Sequence, residues 1–293
     1  MYNKKNSFED VLNKISDFWK KRGCLYSTSI DTEVGAATLN PSTFFRVLNN
    51  NNHNVYYVQQ CKRHSDSRFG FGKNRVFNHH QFQVILKPCI DNFLDIYLES
   101  LSFIGINVEK VDIKFYQDNW EHPALGAFGF GWEVLINGME VTQITYFKQC
   151  GCLPLSIISC EIAYGLERLL VFIQESNNVN DILWSFSINN NNLNKYENFF
   201  FLNEFFFSFY NFSYAIIKHY FYFFLFFLKE SLLLLKLEIY FISFLNLLKS
   251  SNSFNFLESK FFFNNNERIF FIFFIKNISK NCAFFFLKNY KVL

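Results

Sequence analysis

The residues of this chain that are best suited to chemistry lie between Val55 and Lys87. A strand-like run from Val55 to Gln60 precedes a polar loop, and a second run extends from His79 to Lys87. The loop is cationic and glycine-containing, with Lys62, Arg63, Arg68, Gly70, Gly72, Lys73 and Arg75. Guanidinium groups bind phosphate oxygens with fork geometry, so the segment is a candidate cradle for a polyphosphate and a small polar substrate. The alternative is an edge hairpin with a solvated loop.

The second run alternates between apolar and polar side chains. At the two-residue period of a strand, one face would be apolar and the other able to hydrogen-bond a ligand. The apolar face contains Phe82, Val84 and Leu86, and the polar face contains His79, Gln81 and Gln83.

Composition limits what the protein can do. The 293 residues allow one large domain or two small ones, and the 43 Phe residues indicate drift toward A- and T-rich codons. A net charge of +3 is too small for a broad nucleic-acid surface, so any such contact must come from local cationic loops.

The seven cysteines form an odd set without the spacing of a disulfide framework, and no secretory signal precedes them. They are Cys24, Cys61, Cys89, Cys150, Cys152, Cys160 and Cys282. A reducing cytoplasm is the simplest inference. Cys150 and Cys152 flank one glycine, but no second pair follows at zinc-finger spacing, so a metal site is not favoured.

Local signals predict an α+β fold with a largely antiparallel sheet. Ser7 and Asp10 form a capping box for an amphipathic helix. Asn137-Gly138 is a strong hairpin signal between two strand-like runs. Further strands are predicted at 24–30, 111–116 and 155–162, and further helices at 44–48, 91–105 and from 165 onward.

The chain changes character near Asn189, where Asn runs and Phe/Leu-rich blocks begin. The stretch from Phe205 to Leu228 is apolar, but Lys218 and His219 interrupt it, so a buried helical bundle is favoured over a membrane span. The predicted division is therefore a catalytic domain over 1–185 and a Phe/Leu/Asn-rich helical C-terminal region over 186–293.

Many segments share one order with a known family. They are Asp31–Ala36, Asn40–Pro41, Arg68–Arg75, Gln81–Val84, Asp118–Glu121, Gly126–Glu133, Asn137–Gln143 and Tyr164–Arg168. From about Phe8 to Trp184 the chain resembles the alpha subunit of bacterial heterotetrameric glycyl-tRNA synthetase, a class II aminoacyl-tRNA synthetase. The resemblance implies an ATP-dependent glycine-tRNA ligase whose antiparallel sheet, flanked by helices, binds ATP and glycine. An all-helical C-terminal region would follow the sheet.

The resemblance also implies three sequence motifs. Pro41 would lie in the first, which builds the dimer interface of this class. Residues 60–85 would form the second motif and residues 161–172 the third.

The same resemblance implies roles for individual residues. Arg63 would bind the alpha phosphate of ATP and Arg168 the gamma phosphate, with Mg2+ bridging the phosphates, and Arg75 would also contact ATP. His79 stands where the family has an aromatic residue that stacks on adenine. Gln81 and Gln83 would orient the glycine carboxylate and carbonyl. Gln81 would also be catalytic, together with Arg63 and Arg168. The alternatives are a salt bridge of Arg168 within its own helix and ordinary exposed strand glutamines.

Selection of glycine requires exclusion of anything larger at the alpha carbon and a carboxylate for the ammonium. Trp120 and Trp132 are bulky enough to form such a wall, although a buried tryptophan can equally belong to the core. Glu121, Glu133 or Glu161 could face the ammonium, and Glu161 ranks first because it leads into the third motif.

Departures from the family pattern keep other hypotheses open. Cys160 stands where glycine is expected, Lys62 where a second arginine is expected, and most of the chain after Trp184 differs. The first hypothesis is an active cytoplasmic subunit without membrane contact. It would work as an alpha homodimer with two beta chains and bind the acceptor end of tRNA(Gly). The others are a non-catalytic structural or RNA-binding relic, and an adenylate-forming ligase that acts on something other than tRNA.

Overall fold

The computed structural model describes residues 6–66, 74–187 and 192–290. The helices are α1 Phe8–Lys21, α2 Pro41–Phe44, α3 Phe93–Ile104, α4 Leu166–Ile173, α5 Tyr196–Phe209, α6 Ile217–Lys236, α7 Tyr240–Ser259 and α8 Asn265–Tyr290. The strands are β1 Leu25–Tyr26, β2 Val55–Lys62, β3 Asn78–Leu86, β4 Ile113–His122, β5 Ala127–Ile136, β6 Met139–Cys150, β7 Leu153–Pro154, β8 Cys160–Gly165, β9 Leu183–Ser187 and β10 Asn192–Lys195.

The first helix forms where its capping signal predicts. Ser7 Oγ accepts a hydrogen bond from Asp10 N at 3.1 Å, and Asp10 Oδ2 accepts one from Ser7 N at 2.9 Å. These reciprocal bonds satisfy backbone donors that a helix start leaves unpaired. Val11, Ile15 and Trp19 lie on the buried face of α1, which packs against α3 and α4.

The main sheet has eight strands, ordered β1-β2-β3-β8-β6-β5-β4, with β7 paired to β6. Every described pairing is antiparallel except that of β1 with β2. Asn137 and Gly138 have φ of +48° and +83°, as the turn of a two-residue hairpin requires, and they join β5 to β6. The predicted antiparallel sheet flanked by helices is confirmed.

Alternate residues of β3 point into two different hydrophobic clusters. Phe82, Val84 and Leu86 belong to a cluster that α1, α3 and α4 cover. Ile85 belongs to the other cluster, which contains residues of α6, α7 and α8. The period-two pattern predicted these two faces, although both of them are buried toward the end of the strand.

The C-terminal region is helical from α5 onward, as predicted, although a two-stranded sheet of β9 and β10 precedes these helices. The helices pack directly on the N-terminal half. The rings of Phe44 and Phe244 stack with centroids 4.2 Å apart. Ser279 Oγ of α8 donates a hydrogen bond to Leu125 O at 2.9 Å. Helices α6 and α7 meet at Ser231 and Ser243, whose hydroxyl groups each donate to the other residue's carbonyl oxygen at 2.8 Å. The two halves therefore share one hydrophobic cluster, and the domain boundary at residue 185 stays a prediction.

Helix α8 has the length and composition of a membrane-crossing helix, with a mean hydropathy of 1.5 in its most apolar window. A third of that window (33%) is buried inside the protein. This helix is not the segment from Phe205 to Leu228 that the sequence singled out. Length and composition alone do not separate such a helix from a core helix, so this feature carries no membrane assignment.

Four features differ from the sequence-based expectations. The short helix expected at 44–48 is instead α2, which begins at Pro41 and ends at Phe44. The first strand is limited to Leu25 and Tyr26, and β8 begins only at Cys160. Cys89 and Cys160 are joined by a disulfide, with Cα atoms 5.1 Å apart, where no disulfide framework was predicted. The pair is 71 positions apart in sequence, and only the pairing of β3 with β8 brings the two cysteines together.

Candidate active site

A cavity lies on one face of the sheet, between the ends of β2 and β3, strands β4 to β6, β8 and the start of α4. Eight of the predicted site residues line it: Arg63, Arg75, His79, Gln81, Trp120, Glu133, Glu161 and Arg168. The loop residues Arg68, Gly70, Gly72 and Lys73 lie outside the described residues.

Arg63 and Arg168 reach the cavity from two different elements. Arg63 follows β2, and its Nε donates to Gly35 O at 2.9 Å, which orients the guanidinium. Arg168 lies in the first turn of α4, and its Nη1 donates to Glu140 O at 2.9 Å and to Glu140 Oε2 at 3.0 Å. The ionic partner of Arg168 is therefore on β6 and not within its own helix.

The positive charges of both arginines affect the pKa of His79. Burial, and then the positive charges of Arg63, His80 and Arg168, lower the pKa of His79 well below its ordinary value. The ring is consequently neutral near pH 7. A neutral, flat imidazole beside two guanidinium groups suits a position where a planar base meets the phosphate end of a nucleotide.

The two glutamines of β3 have different surroundings. Gln81 Oε1 accepts from Ala37 N at 2.8 Å, so its NH2 group is the end left for a ligand. Gln83 is fully buried, and its Nε2 donates to the Glu161 carboxyl group, while its Oε1 has no partner among the described residues. Gln83 therefore lies behind Glu161 and does not line the cavity.

Glu161 is a buried acid at the cavity wall, only 1% exposed. Burial raises its pKa to about 8, although a hydrogen bond with Thr38 opposes this shift. The environment therefore disfavours the charged form until a cation arrives. From the cavity side, the Glu161 carboxylate would then accept hydrogen bonds from an ammonium, while Gln83 Nε2 donates to it from behind.

Strand alternation separates the remaining predicted residues. Trp120 lines the cavity and meets Phe147 edge-on with centroids 5.8 Å apart, whereas its neighbour Glu121 is exposed on the opposite face of β4. Trp132 packs edge-on against Phe115, with centroids 6.3 Å apart, in the other hydrophobic cluster. The structure thus does not bring Glu121 or Trp132 to the cavity, since successive strand residues face opposite sides.

Sequence reasoning missed part of the acidic wall of the cavity. Asp118, Glu133 and Glu140 line the cavity from β4, β5 and β6, and of these the sequence had named only Glu133. Burial, followed by the negative charges of Glu140 and Asp118, raises the pKa of Glu133. The Asn-Gly turn between β5 and β6 and the two-residue period could have placed these side chains on one face.

Arg75 forms an ion pair with Asp66 at 3.4 Å. Both residues line the cavity, at the two ends of the loop. In the described part of the chain, His, Cys, Asp and Glu side chains form no group of three that could hold a metal ion. The cavity therefore contains three guanidinium groups that could bind phosphate oxygens, those of Arg63, Arg75 and Arg168.

The sequence also matches a family model, described as "Glycyl-tRNA synthetase alpha subunit", over residues 8–291. The chain belongs to this family. The glycine-tRNA ligase alpha subunit of Petrotoga mobilis is 39% identical over 275 residues, which cover 94% of each chain. That of Coprothermobacter proteolyticus is 47% identical over 193 residues, which cover 66% of each.

A solved structure of a pyrrolysyl-tRNA synthetase from Desulfitobacterium hafniense overlaps 64% of this chain and 76% of its own, with a TM-score of 0.45 and 11% identity. The family match confirms the predicted resemblance. It also extends past Trp184, where the sequence pattern had been expected to break down, so the C-terminal helices belong to the family architecture.

Proposed function

We propose that the chain activates glycine with ATP to give glycyl-adenylate and, with a beta subunit, transfers the glycyl group to tRNA(Gly) in the cytoplasm. A glycine carboxylate oxygen forms a bond to the alpha phosphorus, the bond from that phosphorus to the bridging oxygen breaks, and pyrophosphate leaves. The ribose hydroxyl at the tRNA end then attacks the carbonyl carbon, and AMP leaves. Both steps depend on positioning and charge neutralisation.

One observation supports this proposal above the others. Arg63 and Arg168, from distant parts of the sequence, line one cavity and both act on His79, with the buried Glu161 in the same cavity wall. Cationic groups suit the phosphates, and a buried acid suits the ammonium of a small amino acid. Bound Mg2+ would neutralise phosphate charge alongside the two arginines.

Each side chain has a separate role in this proposed reaction. Arg63 binds the alpha phosphate and Arg168 the gamma phosphate, and Arg168 leaves Glu140 when the phosphate arrives. His79 stacks on the adenine, and Arg75 contacts ATP after releasing Asp66. Gln81 donates its NH2 group to the glycine carboxylate, and Glu161, held by Gln83, pairs with the ammonium.

Glycine is selected by exclusion. The Trp120 ring forms a rigid wall at the cavity, so a side chain on the alpha carbon of a larger amino acid would meet it. Such steric exclusion is effective because inserting extra atoms against a close-packed wall costs about 1 to 3 kcal/mol in strain.

The assembly we propose is an alpha homodimer with two beta chains, with Pro41 at the alpha-alpha interface. Pro41 is buried and begins α2, capped by Asn40, whose Oδ1 accepts from Ser42 N at 2.8 Å. The family's description as an alpha subunit supports a different partner chain.

Glycine-dependent exchange of pyrophosphate into ATP by alpha and beta chains together tests the proposal. We expect exchange well above a glycine-free control. Absence of exchange, together with no micromolar binding of glycyl-sulfamoyl adenosine, would favour a non-catalytic relic. Exchange without charging of any tRNA would indicate an adenylate-forming ligase with a different acceptor.

A further inference from the structure

The first residues of β3 extend beyond the neighbouring strand. Pairing of β3 with β8 begins at Gln81 opposite Gly165, so Asn78, His79 and His80 have no strand partner on that side. Buried or half-buried backbone N–H groups need acceptors, because an unmade hydrogen bond costs about 1 to 3 kcal/mol.

Two carboxylates from two helices supply those acceptors. Both carboxylate oxygens of Glu167, in α4, accept from His80 N at 3.0 Å. Glu204, in α5, accepts from Phe77 N at 2.7 Å through Oε2 and from Asn78 N at 3.0 Å through Oε1. Hydrogen bonds from N–H groups to ionised carboxylates are stronger than those between neutral groups.

Glu204 is held in place from more than one direction. It is only 8% exposed, and one helical turn later Phe207 packs on Phe77 with ring centroids 4.7 Å apart. Burial raises the pKa of Glu204, while its hydrogen bonds from the N–H groups of Phe77 and Asn78 lower it. A buried acid is costly unless hydrogen-bonded, so these bonds offset its burial.

The residues that Glu204 holds are connected to the nucleotide side of the cavity. Phe77 O accepts from Arg63 N at 2.9 Å, and Asn78 immediately precedes His79. Glu204 itself does not line the cavity. We infer that Glu204 is a positioning residue for ATP: it fixes Phe77 and Asn78, and through them the backbone of Arg63 and His79. This inference rests on the proposed function.

The test compares Glu204→Gln with the wild type in the complex of alpha and beta chains. The isosteric amide keeps one acceptor and places a donor against the second N–H group. In pyrophosphate exchange we expect the KM for ATP to rise about tenfold, the KM for glycine to stay within about twofold, and kcat to change little. Isothermal titration of ATP should show the same weakening in binding.

Glu197→Gln is the matched control, because Glu197 lies on the same helix and is 46% exposed, with Lys195 Nζ 3.8 Å from its carboxylate. It should leave both KM values unchanged. Glu204→Asp, whose shorter carboxylate cannot reach both N–H groups, should fall between the wild type and Glu204→Gln. This second variant applies if the amide variant fails to fold.

The possible results separate the inference from the proposed function. Unchanged ATP affinity in both Glu204 variants, or an equal rise in the KM for ATP and the KM for glycine, would overturn the positioning role. A wild-type complex that binds ATP but shows no glycine-dependent exchange would instead overturn the proposed function. In that case the titrations of ATP still decide the role of Glu204.

Discussion

At the scale of the residue, the two arginines have the clearest expected effect. Changing Arg63 or Arg168 to Gln removes one cation from the transferring phosphates. We expect kcat/KM for exchange to fall on the order of 10²- to 10³-fold. This corresponds to a loss of about 3 to 4 kcal/mol in transition-state stabilisation.

Arg22→Gln provides the comparison for the arginine variants. Arg22 pairs with Glu99 at 2.6 Å on the surface of the chain, and it is not among the cavity residues. Its exchange activity should match the wild type. A fall of less than about fivefold in both cavity variants would show that they do not bind the reacting phosphates.

The raised pKa of Glu161 predicts that the KM for glycine depends on pH and that the KM for ATP does not. Because its pKa is raised to about 8, the carboxyl group of the empty site is protonated at pH 7, and the proton must leave before the ammonium can pair with it. The KM for glycine should therefore fall about tenfold per unit as pH rises from about 6 to 8, then level off. Steady-state kinetics at saturating ATP measure this slope.

Two comparisons make the pH experiment decisive. Glu161→Gln should bind glycine weakly and without the slope, since it has no proton to lose. The KM for ATP should stay flat over the same range. A wild-type KM for glycine that does not vary between these pH values would contradict a protonated Glu161 in the empty site.

The sequence could name most cavity residues but not the direction each one faces. Trp120 and Glu121 are adjacent on one strand, as are Trp132 and Glu133, so only one of each pair can face the cavity. The structure places Trp120 and Glu133 there. Alternation in sequence defines two faces, but a tryptophan next to a glutamate does not indicate which of the two faces the cavity, since either residue type could line a binding site.

At the scale of the element, Lys87 fixes the segment after α2. Its Nζ donates to Arg46 O at 3.0 Å, Val47 O at 2.8 Å and Asn49 O, and the residue is 1% exposed. Lys87→Met keeps most of the volume but leaves these carbonyls without their donor. We expect a loss of about 2 to 4 kcal/mol in the free energy of unfolding, measured by urea denaturation.

Lys110→Met is the control for that measurement, because Lys110 is exposed. It should change the free energy of unfolding by less than about 0.5 kcal/mol. Equal unfolding midpoints for the two variants would show that the Lys87 bonds do not stabilise the fold.

Elements with strong local signals were predictable, and those defined by distant contacts were not. The capping box of α1 and the Asn-Gly turn between β5 and β6 act within a few residues, and both formed as predicted. The Glu204 bonds to Phe77 and Asn78 join residues 126 or more positions apart. No local pattern around Glu204, in an aromatic-rich helix, indicates such a role.

At the scale of the whole molecule, the two predicted domains share a core and should unfold together. All 4 tryptophans lie before residue 185, so their fluorescence reports the catalytic half. Far-ultraviolet circular dichroism is dominated by the long C-terminal helices. The two signals should give coincident urea transitions, because removing α6 to α8 would expose one side of the shared cluster.

Separate transitions would instead support two independently stable domains divided near residue 185. The comparison is sharpened by Phe244→Ala, which removes the ring stacked on Phe44 across the two halves. This variant should shift both transitions to lower urea by the same amount. A shift in the helical signal alone would contradict a shared core.

The paired serines between α6 and α7 set a limit on mutational tolerance in a region otherwise crowded with phenylalanine. Ser231, Ser243, Ser250 and Ser279 are each fully buried, and each hydroxyl bonds a carbonyl oxygen of a neighbouring segment. A Ser-to-Phe change, which needs a single T in a Ser codon of the TCT or TCC type, would place a ring where two backbones meet. The same change at exposed Ser213 would be tolerated. Nucleotide bias can therefore introduce aromatic residues elsewhere in this region, but not at these four buried serines.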